Sequence, residues 1–121
     1  MELFIECVKN CLSDTGFFVF VLLTLADIAS GFAKAFITKK PSSITGLKGI
    51  ARHITTIVGV CLLVVVLDMI NEPQYGQLLI VSMYAVEAIS VIGNLDACGV
   101  PLPNWLVEHF GDIKDRKDDS K

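Results

Sequence analysis

The chain has 121 residues, 53% hydrophobic and 19% charged, with a net charge of −3 and a mean hydropathy of +0.62. Soluble domains run about 45–50% apolar and about 25% charged, so composition argues against a soluble domain, and the length allows one domain. A soluble helical bundle would also carry polar stripes every three or four residues, and "FFVFVLL" and "VGVCLLVVVL" carry none.

In chain order, residues 1–13 ("MELFIECVKNCLS") form an amphipathic interfacial segment, with Leu3, Phe4, Val8 and Leu12 opposite Glu2, Glu6 and Lys9. Residues 15–37 are the first apolar block, long enough for a membrane helix of roughly 20 residues. A cleaved signal peptide is disfavoured. "AKA" at 33–35 has the small-x-small form, but the preceding residues are acidic where a signal needs a basic start. Residues 42–53 ("SSITGLKGIARH") form a basic amphipathic loop helix, with Ile44, Leu47, Ile50 and Ile54 at near-helical spacing and Ser42 or Ser43 as a cap. Residues 54–70 and 76–95 are the second and third spans. Residues 101–113 form a further interfacial helix anchored by Trp105 and Phe110, with Leu106 and Ile113 on the same side, since Trp favours the headgroup region. Residues 114–121 are a charged, solvated tail.

The expected fold is therefore an all-α membrane protein with three transmembrane helices and interfacial amphipathic helices. Lys39, Lys40, Lys48 and Arg52 gather between the first two spans, and "NEPQY" between the second and third has no Lys or Arg. Basic short loops stay in the cytoplasm, which places the N-terminus outside and the C-terminus in the cytoplasm. The four basic residues then lie at the membrane surface.

Two acids interrupt the apolar blocks: Asp27 near the middle of the first and Glu87 near the middle of the third. A charged residue at a helix centre costs about 2.5–3.5 kcal/mol on the insertion scale, and each Leu, Ile, Val or Phe returns only about 0.3–0.6. The first span is close to marginal alone. Asp27, Ser30, Gly31 and Lys34 share one side, and Gly31 with Ala35 gives a small-xxx-small spacing suited to close helix approach. Ser82, Ser90, Gly93 and Asn94 surround Glu87 similarly. Three roles stay open for the acids: protonated packing groups, the lining of a water-filled opening, or a proton relay. Three helices offer little interior for two acids, which favours self-association.

Catalytic signals are weak. His53 and His109 read as isolated interfacial residues, and Cys7, Cys11, Cys61 and Cys98 lack C-x-x-C spacing. Cys61 fills space in an apolar run, and Cys7 with Cys11 shares an outer helix face where a disulfide between chains can form. "GLKG" is not a P-loop. No enzyme, cofactor, metal site or nucleic-acid partner is expected.

Four motifs in order carry a resemblance over residues 26–106: "DIASGFAKAF", the Ser/Gly-rich basic "SSITGLKGIARH", "LDMI" with Asp68 at the outer end of the second span, and "VEAISVIGNLDACGVPLPNWL" with Glu-x-x-Ser and Gly-Val-Pro-x-Pro. Together they resemble the toxin-secretion/phage-lysis holins, small phage and prophage membrane proteins. Gly93 departs from the pattern, which has a second acid before the Asn. The resemblance implies a multi-pass protein of the host bacterial inner membrane that oligomerises with itself and permeabilises the bilayer. It lets an endolysin or a toxin pass for timed lysis, sometimes under restraint by an antiholin. A small ion channel or transporter subunit, an antiholin, and a structural membrane protein are the alternatives.

Overall fold

The computed structural model describes residues 1–39, 43–106, 108 and 109. Among these the secondary structure is helical throughout: α1 (Glu2–Ser13), α2 (Thr15–Ile37), α3 (Ser43–Met69) and α4 (Pro73–Ala97), followed by a helical turn at 104–106. Three helices are long and apolar enough to cross a membrane: Thr15–Ile37, Gly46–Met69 and Pro73–Ala97. At 1.5 Å per residue each reaches about 34–38 Å, enough for a hydrocarbon core of about 30 Å.

The boundaries follow from local chemistry. Asp14 adopts an extended conformation and caps α2, its side chain accepting from Phe17 N–H at 3.0 Å. Such a cap is worth about 1 kcal/mol, and it separates α1 from α2. The ends of α3 and α4 share one device. Asn71 takes the left-handed conformation (φ 61°), Glu72 N–H donates to Leu67 C=O at 2.8 Å, and Asn71 N–H to Asp68 C=O at 3.1 Å. Gly99 (φ 83°) repeats the pattern, with Val100 N–H on Leu95 C=O and Gly99 N–H on Asp96 C=O. Both are Schellman closures, in which a left-handed residue lets two amides return to the last turn. Pro73 then opens α4 where its missing N–H is harmless. The Gly-Val-Pro motif thus closes α4 before Pro101 is reached.

Residues 43–53 and the apolar segment after them form one continuous α3. No Gly or Pro stands at the junction Arg52–His53–Ile54, so nothing interrupts the helix, and its membrane-capable stretch begins at Gly46. Ile44, Leu47 and Ile54 are all exposed; their stripe faces away from the bundle. Residues 40–42, 107 and 110–121 lie outside the described residues, and with them Lys40, the Ser42 cap, Phe110, Ile113 and the charged tail.

Packing follows a heptad rhythm. On α2 the inward positions are Phe17, Phe20, Thr24, Asp27 and Ser30, and on α4 they include Gly76, Ile80 and Glu87. On α3 the inward side is lined by His53, Ile57, Val60, Cys61, Val64 and Val65. Steps of three and four residues, or their sum, suit near-parallel helix packing. The seam changes character along its length. The half near Phe20, Ile80 and Val65 is apolar, each 1% exposed or less, and the half near Asp27, His53 and Glu87 is polar. Gly76 faces Val64 where α3 and α4 meet, and a Cβ there would make ordinary van der Waals contact with it at 3.5 Å. Large apolar side chains such as Phe18, Leu22, Leu25, Leu62, Leu63 and Leu78 point outward. Polar groups inside and apolar groups outside suit lipid as the surrounding medium, not water.

α1 packs mainly on α3 and also touches α2, so it is part of the bundle and more than a surface anchor. Cys7 and Cys11 are both buried, and Cys11 Sγ meets Cys61 Sγ at 3.5 Å. The two do not present an outer face to a second chain. Their thiols pack inward because α1 turns its small residues toward α3.

Candidate functional site: a polar centre inside the bundle

The centre is built on Asp27. Its Oδ1 accepts from Ser90 Oγ at 2.7 Å and from Asn94 Nδ2 at 3.1 Å, and its Oδ2 lies 3.5 Å from His53 Nε2. Ser30 Oγ donates to Asp27 C=O at 3.1 Å and accepts from Asn94 Nδ2 at 3.0 Å. A third Asn94 contact, to Asp27 C=O, is longer at 3.4 Å. An amide has two hydrogens, so the two shorter bonds take them. Asp27 is 4% exposed and Glu87 3%. Glu87 Oε2 is buried with no hydrogen-bond partner. One ligand-capable atom from each of Asp27, His53 and Glu87 lies within 4.8 Å of the others.

Each side chain arrives from a different helix. Asp27 is ten residues from the end of α2, as Glu87 is from the end of α4; both are about 15 Å along the helix from those ends. Gly31 faces Asn94 across the α2–α4 contact, where a Cβ would make ordinary van der Waals contact with Asn94 Nδ2 at 3.8 Å. Tyr84 supplies a second tie between the same helices, donating to Gly16 C=O at 2.6 Å.

Of the residues singled out in the sequence, Asp27, Ser30, Gly31, Glu87, Ser90 and Asn94 come together. Lys34 sits in the last turn of α2, partly exposed, and Asp68 lies at the far end of α3 beside Cys7. Ser82 is exposed and returns its hydroxyl to Leu78 C=O. Lys39, Lys48, Arg52 and Trp105 are exposed. His53 corrects the sequence reading: it is buried at 9% exposure against Asp27, not interfacial. The signal was present in its spacing of four and seven from Ile57 and Val60, both on the inward side of α3. At the far end of the bundle, burial pushes the Cys11 thiol up to about 12, and contact with Cys61 and the negative charges of Asp14 and Asp68 act in the same direction.

Asp27, His53 and Ser90 are the residue types of a hydrolase triad, but they are connected differently. In a triad the serine is bonded to the histidine, which takes its proton. Here Ser90 and His53 each approach the aspartate, and Ser90 donates to the carboxylate. The arrangement solvates an acid; it does not activate a nucleophile.

The model of the bacteriophage holin family matches residues 10–115, which takes in α2, α3, α4 and the whole polar centre. The chain belongs to the bacteriophage holin family. Holins permeabilise membranes and are not a known class of enzyme. Family membership and three apolar helices make this chain a holin-type, multi-pass membrane protein. No match was found among curated proteins or solved structures.

Proposed function

We propose that this holin-family chain accumulates in the host inner membrane, self-associates and opens it, so that an endolysin or a toxin can leave the cytoplasm. The observation that carries the proposal is the polar half of the interhelical seam. Asp27, His53 and Glu87 are buried in a bundle whose outer surface is apolar. Groups of this kind inside a membrane face a protein interior, an aqueous cavity or a partner chain. In the single chain Asp27 is solvated by Ser90 and Asn94, and Glu87 Oε2 has no partner. Rearrangement of α2 against α4 in an oligomer turns this seam into a surface that water can wet, while the apolar outside stays in lipid.

The orientation we assign has α1 outside and the α2–α3 connection in the cytoplasm. Exposed Lys39, Lys48 and Arg52 flank that connection, and residues 70–75 carry no Lys or Arg. The polar half of the seam is then the cytoplasmic half. An antiholin partner would act by holding the seam closed.

The test is reconstitution of the purified chain into liposomes loaded with a small fluorophore and a labelled protein of endolysin size. Release of both, together with a crosslinked ladder of homo-oligomers, is the expected result. Release of the fluorophore alone would indicate a narrow channel. No release, with restraint of an active holin added to the same vesicles, would indicate an antiholin.

A further inference from the structure

We propose that Asp27, His53 and Glu87 form a binding site for a divalent transition-metal cation of the zinc type. The donor set is one imidazole nitrogen and two carboxylates, supplied by α3, α2 and α4 respectively. Zinc accepts these ligands in tetrahedral sites, with bonds of about 2.0–2.2 Å. The edge of such a tetrahedron is about 3.3–3.6 Å, and His53 Nε2 and Asp27 Oδ2 already stand 3.5 Å apart. One ligand atom from each of the three residues lies within 4.8 Å of the others, so side-chain adjustments on the order of 1 Å bring the set to tetrahedral edge lengths.

Glu87 provides the independent sign of a missing ligand. It is 3% exposed, and its Oε2 is buried without a hydrogen-bond partner. A buried carboxylate oxygen without a donor is rare in folded proteins. Glu87 also lies in hydrogen-bonding and charge contact with the Asp27 side chain, and the weaker attraction of Arg52 comes from an exposed residue that does not occupy the site. A doubly charged cation balances both carboxylates at once. The surrounding shell also fits. Ser90 and Asn94 hold Asp27 Oδ1 and leave Oδ2 directed toward His53, as outer partners orient metal-bound carboxylates. The imidazole favours zinc and its neighbours in the first row over magnesium or calcium, which take oxygen ligands. Three protein ligands leave a fourth position for water. The bound ion would pin α2, α3 and α4 together at one level.

The site can be tested on metal binding alone, whether or not the chain opens membranes. Full-length protein in detergent is stripped with chelator, equilibrated with Zn2+ or Co2+, desalted, and measured by elemental analysis and by visible absorption of the Co2+ form. The expected result is about one ion per chain and a tetrahedral Co2+ spectrum. Glu87→Gln removes a ligand whose Oε2 has no hydrogen bond to lose, so it keeps the helical circular dichroism and loses the stoichiometric ion. His53→Gln does the same. Ser90→Ala, outside the ligand set, weakens binding about 10–100-fold. A variant with all four cysteines changed to Ser retains the ion. Absence of a stoichiometric ion in the native chain, unchanged binding in Glu87→Gln and His53→Gln, or an ion that follows the cysteines would each overturn the proposal.

Discussion

Replacing Asp27 with Ala should move two quantities in opposite directions. Alone in a bilayer, α2 carries its acid near the centre, and removing it favours insertion of that segment by about 2.5–3.5 kcal/mol. In the bundle the same change deletes the acceptor for Ser90 and Asn94 and the partner of His53. Hydrogen bonds to charged groups in soluble proteins contribute about 1.5–3 kcal/mol each. Interhelical bonds in a bilayer average about 0.6 and reach about 1.7, because separated helices also find polar partners. The membrane figure applies, so losing two bonds destabilises the bundle by about 1–3 kcal/mol. Asp27→Asn keeps the Oδ1 acceptor and should lose less than about 1 kcal/mol by the same reckoning. Glycosylation-mapped insertion of residues 15–37 into microsomes measures the first quantity, and reversible unfolding of the whole chain in bicelles measures the second. An Asp27→Ala bundle as stable as the native chain, or equal disruption by Asn and Ala, would contradict a solvated Asp27 at the bundle centre.

Further outcomes follow from other contacts. A Cβ at Gly16 would stand 3.0 Å from Asp14 Oδ2 and 3.2 Å from Tyr84 Oη, so Gly16→Ala displaces both the α2 cap and the Tyr84 tie, and bicelle unfolding should show a loss of about 1–3 kcal/mol. Cys11 has its thiol raised from 9.0 to about 12 in the folded chain, chiefly by burial. Below pH 9 it is protonated in both states; from there toward 12 the unfolded chain gives up its proton first, so stability should fall as pH rises through this window. A pH series of unfolding midpoints checks this, and Cys11→Ser should flatten the alkaline slope. For topology, the native Cys7 is a poor reporter because burial raises its thiol too. On a background free of native cysteine, Leu3→Cys (a position 51% exposed) should react with an impermeant thiol reagent on intact cells. Thr38→Cys should react only after permeabilisation, and the reverse pattern would invert the orientation.

The three spans are legible because lipid-facing sequence has no polar stripe to hide, and the structure holds three helices long and apolar enough to cross a membrane. The acids and their Ser, Gly and Asn neighbours were legible for the same reason: a polar residue in an apolar run stands out. His53 is legible only through its spacing from Ile57 and Val60, because it follows Arg52 in a segment already rich in charge, where a histidine gives no contrast. The stripe Ile44, Leu47, Ile54 also drew that segment toward the membrane surface, although in a continuous α3 it marks the outward side. Asp14 adds to the acidic character of the residues before the first span, and its capping role depends on an extended backbone that composition does not encode. The inward burial of Cys7 and Cys11 depends on how α1 docks against α3. That is tertiary packing, which spacing within α1 leaves undetermined.

Opening of the membrane to macromolecules is the activity proposed for this chain. Its most direct test is co-expression in bacteria with a cytoplasmic endolysin that lacks any export signal. The expected result is an interval of normal growth, then abrupt loss of membrane potential and lysis that requires both proteins. Full insertion of the chain into the inner membrane, with the endolysin retained in the cytoplasm and the cells intact, would contradict it.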